Sequence, residues 1–337
     1  MINRRRVQLT GTSTFTVSLP KEWAKRYAVR RGTELAVTET SDGSLIFGLR
    51  EPGRLEKASV NVGEFDDPDE LRRRFLALYL AGFGEVRFFS ERGFPLEMKK
   101  VIAEEAKRLV GMEATEETAK SIVVHDFFSH EGLPMDKALR RIHLITCGLY
   151  EEVLKAFAET DRKRAESVIG RDDDVDRLRF LLLRQLNLAL RNTTLLRELG
   201  LTTSDCLNYA TAVRNIENLA DNVMKMAKYT AQISGASRSR EAASKLGALN
   251  RDAYDLYRAA MEAFLRGDEK KANKVIGGKK RIKAAVNELE KELLKQVSPT
   301  IFQYGVVLDK IRNVCELSSE IAELAINWRV ASANPSD

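Results

Sequence analysis

Carboxylate side chains stand at helical spacing in two places along the chain, and together they form a candidate metal site. The set comprises Asp172, Asp173, Asp176, Glu217 and Asp221. Residues three or four positions apart share one face of a helix. Carboxylates on two adjacent helices are a usual way for a bundle to present oxygen ligands to a cation. The alternative is that these are solvated acids that pair with nearby arginines, such as Arg177, Arg179 and Arg214.

The helices that carry these acids belong to an internal repeat. The segment Ala156–Gly170 recurs 107 residues later as Ala263–Gly277, with Ala, Phe, Asp, Ala, Val, Ile and Gly at identical offsets. Chance amphipathic similarity would preserve the helical period and not the residue identities, so the match indicates a duplication. Two similar three-helix bundles side by side are therefore expected.

The second copy lacks the first acidic set. Lys279, Lys280 and Lys283 stand where the first copy has its aspartates. This replacement argues against a second, equivalent cation site. The lysines form either a basic, solvated helix face or a surface that attracts an anion or an acidic partner.

The alignment of the third helices of the two copies is open by one residue. Arg-Asn-Ile at 214–216 is matched by Arg-Asn-Val at 312–314. This match places Cys315 at the position of Glu217. A shift by one residue places Glu316 there instead.

A different chemistry is indicated by the distribution of charge. The first fifty residues hold nine Lys and Arg residues against four acids, and so carry five of the six net positive charges of the chain. Charge concentrated in one segment indicates contact with nucleic acid or another anionic surface. The alternative is a small, basic domain that binds nothing. The residues that would contact DNA are Arg4, Arg5, Arg6, Lys21, Lys25, Arg26, Arg30 and Arg31.

These basic residues lie in a segment, residues 1–50, that is predicted to be β-rich with one short helix. Apolar residues at odd positions and polar residues at even positions from Val7 to Leu19 predict a half-buried strand pair that breaks near Gly11. Pro20 opens a helix, and two further strands follow around a turn. So few apolar side chains cannot bury a large core alone, and we therefore expect obligate dimerisation.

Residues 51–132 are predicted to form a small α/β segment. Strand, helix, strand, helix and strand alternate, an order typical of a layered α/β fold. We predict strands over 58–62, 86–89 and 122–128 and helices over 66–81 and 95–110. The segment has no glycine-rich phosphate loop and no cluster of catalytic residues.

From residue 133 to 333 the apolar period is that of α-helices. The two three-helix repeats are predicted at about 134–234 and 238–330. The six predicted helices cover roughly 135–158, 161–195, 204–233, 241–266, 268–296 and 300–330. The fold class is therefore multidomain, with a small β head, a small α/β segment and an all-α body.

Several classes of protein are disfavoured by the sequence. No stretch approaches about 18 uninterrupted apolar residues, so neither a membrane span nor a secretory signal is expected. Three widely spaced cysteines without a Cys-x-x-Cys pattern are typical of free thiols in a reducing cytoplasm. The chain has no nucleophile–base pair and no catalytic histidine set, so we do not expect an enzyme.

Two stretches resemble known families. The run Arg-Asn-Ile-Glu-Asn-Leu-Ala-Asp at 214–221, with Asp172 and Asp176 on the preceding helix and the tandem three-helix halves, resembles PhoU, the phosphate-signalling family. The run from Thr14 to Trp23 is similar to the AbrB/SpoVT/MazE swapped-hairpin DNA-binding domain. The combination resembles archaeal PhoU-like regulators with an AbrB-type head, over about residues 1–50 and 135–330.

The resemblance implies a cytoplasmic, DNA-binding transcriptional regulator of phosphate uptake. AbrB-type heads interleave the hairpins of two chains, which implies a homodimer through the head. PhoU members bind metal at acidic motifs, which implies a divalent or ferric ion in the first repeat. A phosphate ABC transporter component is the implied partner. The alternative is a PhoU-type modulator that acts on a phosphate transporter by protein contacts alone and does not bind DNA.

Overall fold

The computed structural model describes residues 4–39, 43–49, 56–128, 134–171, 173–233, 240–295 and 299–332. The chain divides into two compact units, Met1–Arg54 and Leu55–Asp337. The α/β segment and the helical body, which the sequence separates, both belong to the second unit. Residues 51–53, which begin the predicted α/β segment, and residues 234–237, which lie at the predicted junction of the two repeats, are outside the described residues.

The first unit contains two antiparallel hairpins and a short helix, as predicted. Its elements are β1 (Gln8–Thr10), β2 (Thr14–Thr16), α1 (Lys21–Arg26), β3 (Ala36–Glu39) and β4 (Leu45–Gly48). Leu9 lies opposite Phe15 in the first hairpin, and Val37 opposite Phe47 in the second. Gly11 has a φ of +70° in the first turn, a conformation that glycine adopts without steric cost.

The apolar side chains of the first unit have no core to enter. None of its described residues is buried. Phe15 is 74% exposed, and the strand residues opposite or beside it are exposed as well. The strands predicted to be half-buried, β1 and β2, are therefore exposed to solvent on both faces.

The α/β segment is a four-stranded sheet with two helices. Its elements are β5 (Lys57–Asn61), α2 (Pro68–Leu80), β6 (Glu85–Phe89), α3 (Leu96–Arg108), β7 (Met112–Glu117) and β8 (Ser121–Asp126), with a short 3₁₀ turn at Val62–Glu64. The strand order is β5-β6-β8-β7, in which β5 and β6 run parallel and the other pairs antiparallel. The predicted segment is confirmed, and Asp67 caps α2 by accepting a hydrogen bond from Asp69 N at 2.9 Å.

One strand of this sheet was absent from the prediction. Residues of β7 are exposed except for Met112, because β7 is an edge strand whose other described side chains face solvent. Its sequence, Met-Glu-Ala-Thr-Glu-Glu, consequently lacks the apolar alternation by which strands are recognised.

The helical body contains eight helices in its described residues. They are α4 (Met135–Glu159), α5 (Arg162–Val168), α6 (Asp173–Arg191), α7 (Thr193–Glu198), α8 (Thr203–Thr230), α9 (Arg240–Arg266), α10 (Glu269–Leu294) and α11 (Ile301–Ser332). The single helix predicted over 161–195 is wrong, since that stretch forms α5, α6 and α7. The corresponding helix of the second repeat, α10, is continuous.

The residues that follow the shared Val-Ile-Gly explain this difference. In the first repeat Gly170 adopts a φ of +85° and ends the turn, and acids including Asp173 and Asp174 lie in the first turn of α6. Acids at a helix N-terminus complement its dipole. In the second repeat Gly277 is followed by Gly278 and a lysine pair, which would be unfavourable at a new N-terminus, and the helix runs through.

The two repeats pack on each other through a core with buried polar links. Tyr150 on α4 donates a hydrogen bond to Asn250 Oδ1 on α9 at 2.8 Å. Tyr209, Phe264 and Trp328 form a ring cluster with centroids 5.6 to 5.7 Å apart. These contacts join the halves that the repeat predicted to lie side by side.

Helix α6 joins the helical body to the α/β segment. Phe180 is 3% exposed and belongs to the apolar core of the segment. Asn187 donates to Leu80 O at 2.8 Å and Arg191 to Ala81 O at 2.9 Å. The first repeat and the segment therefore share one packed interface.

The three cysteines are free thiols in the interior of the helical body. Cys147, Cys206 and Cys315 are all buried, and burial raises the pKa of each thiol, to about 11 for the first two and about 12 for the third.

Over the described ranges, no helix is both long and apolar enough to cross a bilayer.

Candidate functional site

The eight predicted DNA-contacting residues lie on the surface of the first unit, and all are exposed. They occupy three places: the chain before β1 (Arg4, Arg5 and Arg6), helix α1 (Lys21, Lys25 and Arg26) and the turn after it (Arg30 and Arg31). Within the part of the chain that the structure describes, none of the eight forms an ion pair. Their charge is therefore available to an anionic partner.

Local contacts fix the helix and the turn that carry five of these residues. The rings of Trp23 and Tyr27 lie 5.5 Å apart. Val29 N donates to Ala24 O at 2.8 Å, and Arg30 N donates to Thr33 Oγ1 at 2.9 Å. The basic side chains thus project from a short, ordered scaffold, which is an arrangement suited to contacts with phosphate oxygens.

Of the five predicted metal ligands, two, Asp176 and Glu217, contact the same arginine, Arg179. Asp172 lies outside the described residues, and Asp173 is exposed in the first turn of α6. Arg179 Nη2 lies 3.2 Å from Asp176 Oδ1, and Arg179 Nε lies 3.8 Å from Glu217 Oε1. A guanidinium group therefore stands between two carboxylates that were predicted to share a metal ion.

A second guanidinium group reaches the same aspartate from the α/β segment. Arg108, the last residue of α3, forms an ion pair through Nη2 with Asp176 Oδ2. The Arg108 and Asp176 side chains are 31% and 18% exposed. No sequence signal pointed to Arg108, because it lies 68 residues from Asp176 in another part of the fold.

The remaining pair, Glu217 and Asp221, lies on α8. Burial raises the pKa of Glu217; Asp221 and Asp176 add to this shift, whereas Arg179 opposes it. Asp221 lines a polar cleft of about 260 Å³ between α8 and α11. The other lining residues are Asn218, Asn222, Lys225, Asn313, Glu316 and Leu317.

These contacts do not fit a metal centre. Across the described ranges, no group of three or more His, Cys, Asp or Glu side chains is placed to hold a metal ion. Both carboxylate oxygens of Asp176 contact guanidinium groups, whereas a hard cation needs several oxygen ligands directed at one point. A metal ion in the first repeat stays a prediction, and the contacts of Asp176 disfavour it.

In the second repeat, lysine side chains contact the corresponding acid. Lys279 Nζ lies 3.0 Å from Glu316 Oε2, and Lys283 Nζ contacts Glu316 Oε1. Hydrogen bonds from Lys283 and Lys279 lower the pKa of Glu316. Lys283 stands 107 residues after Asp176, so Glu316 is the spatial counterpart of Glu217.

The pattern of buried positions on α8 and α11 is compatible with both alignments of these helices. Nine buried residues of α8 are matched by buried residues of α11 at an offset of 99, and eight are matched at an offset of 98. The matches at 99 include Ala212 with Ile311, and those at 98 include Cys206 with Tyr304 and Val213 with Ile311. Burial therefore does not choose between the two alignments, and the spatial correspondence of Glu316 with Glu217 rests on the contacts of Glu316 with Lys279 and Lys283.

Two family models match separate parts of the chain. Residues 139–230 match the PhoU domain. Residues 8–46 match the family described as antidote-toxin recognition MazE, bacterial antitoxin. The predicted resemblance to these two families is confirmed: a match to MazE precedes a match to the PhoU domain, and the α/β segment and the second repeat lie outside both matches.

A solved structure and the curated proteins complete the comparison. The chain is similar to the phosphate transport system regulatory protein PhoU from Streptococcus pneumoniae, with 17% identity and a TM-score of 0.49. The match covers 60% of this chain and 96% of that protein. No curated protein sequence matches this chain significantly.

Proposed function

We propose that this chain is a cytoplasmic transcriptional regulator of phosphate uptake that binds DNA as a dimer through its first unit. The helical body would then sense phosphate status or dock on a phosphate transporter component. The observation that carries the proposal is the set of eight basic side chains on a MazE-type head, exposed and without ion pairs in the described residues.

The distribution of these charges favours DNA as the ligand. Residues from three consecutive parts of the head, typified by Arg5, Lys25 and Arg31, are solvated and free to neutralise phosphates. Such contacts give affinity and salt dependence, and base specificity needs one or two further contacts in a groove.

The exposed apolar face of the head supports a dimer. Leu9, Phe15, Val37 and Phe47 are each more than 40% exposed on paired strands, and burying them requires a second apolar layer. A second copy of the head supplies that layer by interleaving hairpins. A two-fold head in turn favours a pseudo-palindromic binding site.

The PhoU domain supports the link to phosphate. It occupies residues 139–230, which form most of the first helical repeat. We infer the signal from the domain family and not from a bound ligand. The same domain supports a second candidate function, a modulator that acts by protein contacts on a phosphate transporter and does not bind DNA.

Binding to the DNA upstream of the protein's own gene tests the proposal. The full-length chain is titrated against a labelled duplex of that region and an unrelated duplex, by fluorescence anisotropy at several salt concentrations. We expect tighter binding to the first duplex. The triple variant Arg4→Ala/Arg5→Ala/Arg6→Ala should reduce the slope of log K against log salt by about 0.9 for each phosphate that the protein no longer neutralises.

A matched variant separates the head from general charge effects. Lys270→Ala/Lys274→Ala/Lys280→Ala removes three exposed lysines from α10 of the helical body, and it should leave both affinity and slope unchanged. Equal slopes for the wild type and the arginine variant would show that the chain before β1 does not contact DNA. Absence of binding near physiological salt would favour the modulator function.

A further inference from the structure

We propose that guanidinium and ammonium groups of this chain take the place of bound metal ions in both helical repeats. In the first repeat, the acidic face then serves to hold the α/β segment. DNA binding has no part in this role, because all the residues involved belong to the second unit.

Both carboxylate oxygens of Asp176 are occupied by cationic side chains. Arg108 Nη2 contacts its Oδ2, and Arg179 donates to its Oδ1 from Nη2 at 3.2 Å and from Nε at 3.3 Å. Both oxygens therefore have charged donors. A cation could coordinate Asp176 only by displacing at least one guanidinium group.

The two guanidinium groups are held in place by an aromatic ring. The guanidinium carbon Cζ of Arg108 lies 5.1 Å from the ring centroid of Phe180, and that of Arg179 lies 4.4 Å from it. Both distances are within the range of cation–π attraction. Phe180 is itself buried in the core of the α/β segment. The cations at the acidic face are thus part of the packed interface.

The ion pairs around Asp176 continue into the α/β segment as a series of side chains of alternating charge. Glu105 lies one turn before Arg108 on α3 and is 2% exposed; its Oε2 is 3.9 Å from Arg108 Nη1 and 3.8 Å from Arg72 Nε on α2. Arg108 is therefore flanked by Glu105 on its own helix and by Asp176 on α6. The series Arg72, Glu105, Arg108, Asp176, Arg179 and Glu217 connects α2 to α8.

In the second repeat, lysine side chains instead of arginine side chains pair with the acid. Lys279 and Lys283 hold Glu316 between them, at positions that the duplication aligns with Asp172 and Asp176. A cation attached to the chain is present at any metal concentration. Asp176 in the first repeat and Glu316 in the second are thus paired with cationic side chains of the chain itself.

Measuring the metal content of the full-length protein tests whether cationic side chains take the place of metal ions. The wild type, Arg108→Gln/Arg179→Gln and the matched control Arg162→Gln/Arg164→Gln are each incubated with Mn²⁺ or Zn²⁺, desalted and analysed for metal. The control removes two arginines of α5 that form ion pairs in the same repeat, Arg162 with Glu166 and Arg164 with Glu152. We expect less than about 0.1 metal ion per chain in the wild type and control, and a gain of at least fivefold in the first variant.

Hydrogen exchange tests the docking role separately. Arg108→Gln should accelerate amide exchange at the end of α3 by at least tenfold relative to the control, whereas Arg108→Lys should restore most of the protection. Circular dichroism verifies that each variant is folded. About one metal ion per wild-type chain that disappears in Asp176→Asn would overturn the proposal, as would unchanged metal content in Arg108→Gln/Arg179→Gln or unchanged exchange in Arg108→Gln.

Discussion

Arg184 on α6 and Asp126 at the end of β8 form an ion pair in which both side chains are buried, with 1% and 0% exposed. The Nη2–Oδ2 distance is 2.6 Å, and Nη2 also donates to Phe83 O at 2.8 Å. Nη1 donates to Tyr79 O, and the guanidinium lies 4.6 Å from the Tyr79 ring centroid. One side chain of the helical body thus satisfies several polar groups of the α/β segment.

Arg184→Leu should lower the free energy of unfolding by about 3–5 kcal/mol, because it leaves the Asp126 carboxylate buried without its counter-charge. Guanidinium denaturation followed by circular dichroism measures the loss. Arg191→Leu, which removes a single exposed hydrogen bond to Ala81 O, serves as the control and should cost about 1 kcal/mol or less. Similar small losses for both variants would contradict the importance of the buried pair.

Gly111→Ala should destabilise the second unit more than Gly93→Ala. Both glycines have a positive φ, +88° and +85°, so both substitutions carry a backbone cost of about 1 kcal/mol. An added Cβ at Gly111 would lie 2.5 Å from Phe128 Cβ and 2.6 Å from Asp126 Oδ1, whereas at Gly93 the nearest atom is 3.8 Å away. We expect a further loss of about 1–3 kcal/mol for Gly111→Ala alone, measured by thermal unfolding; equal losses would show that the surrounding chain relaxes freely.

His143 should make the stability of the helical body sensitive to acid. Burial, reinforced by Arg258 and Arg140, lowers the pKa of His143 to about 4 from 6.5, and its Nδ1 lies 2.9 Å from Tyr257 Oη. The unfolded chain binds the proton first, so this contribution is complete above pH 6.5 and is lost as the pH falls towards 4.

The expected loss between pH 7 and pH 5 is about 2 kcal/mol. It is measured as the difference in unfolding free energy between the two pH values for the wild type and for His143→Gln, which cannot take up the proton. Carboxylates contribute equally to both proteins and cancel. The prediction fails if the two proteins lose the same amount.

If the first unit forms the proposed dimer on DNA, Phe15→Asp should convert that dimer to a monomer and weaken DNA binding at least tenfold, because the side chain is 74% exposed on the apolar face of the first hairpin. A charge there cannot be buried against a second copy without a large desolvation cost. Sedimentation velocity and anisotropy measure the two effects. Thr12→Asp, in the exposed turn of the same hairpin, adds an identical charge and should leave the dimer intact; a dimeric Phe15→Asp would place the interface elsewhere.

Element types were predicted well where the apolar period is long. The head hairpins, the order of the α/β segment and the long helices α4, α8, α9 and α11 all follow from periodicity and turn residues. The prediction missed β7, whose edge position leaves only Met112 buried, and it joined α5, α6 and α7 into one helix. The first error arises because the exposed edge position of β7 removes the apolar alternation. The second arises because local electrostatics, and not the apolar period, determine where α6 begins.

The candidate sites divide in the same way. The basic residues of the head were proposed from composition and local pattern, and the structure places them on the surface; their contact with DNA stays a prediction. The acidic residues of the first repeat were recognised as a group, but only some of their partners were. Of these partners, Arg179 was named as an alternative, whereas Arg108 had no local signal.

The sequence by itself therefore determined the duplication, the β-rich head and the concentration of positive charge, since these depend on identity, local periodicity and composition. Only the tertiary structure decided that Arg108 pairs with Asp176, that Glu316 corresponds to Glu217, and that Arg184 is buried against Asp126. The energy of an ion pair depends on distance in space and on burial. Neither quantity is encoded by spacing along the chain when the partners are 58 or 68 residues apart.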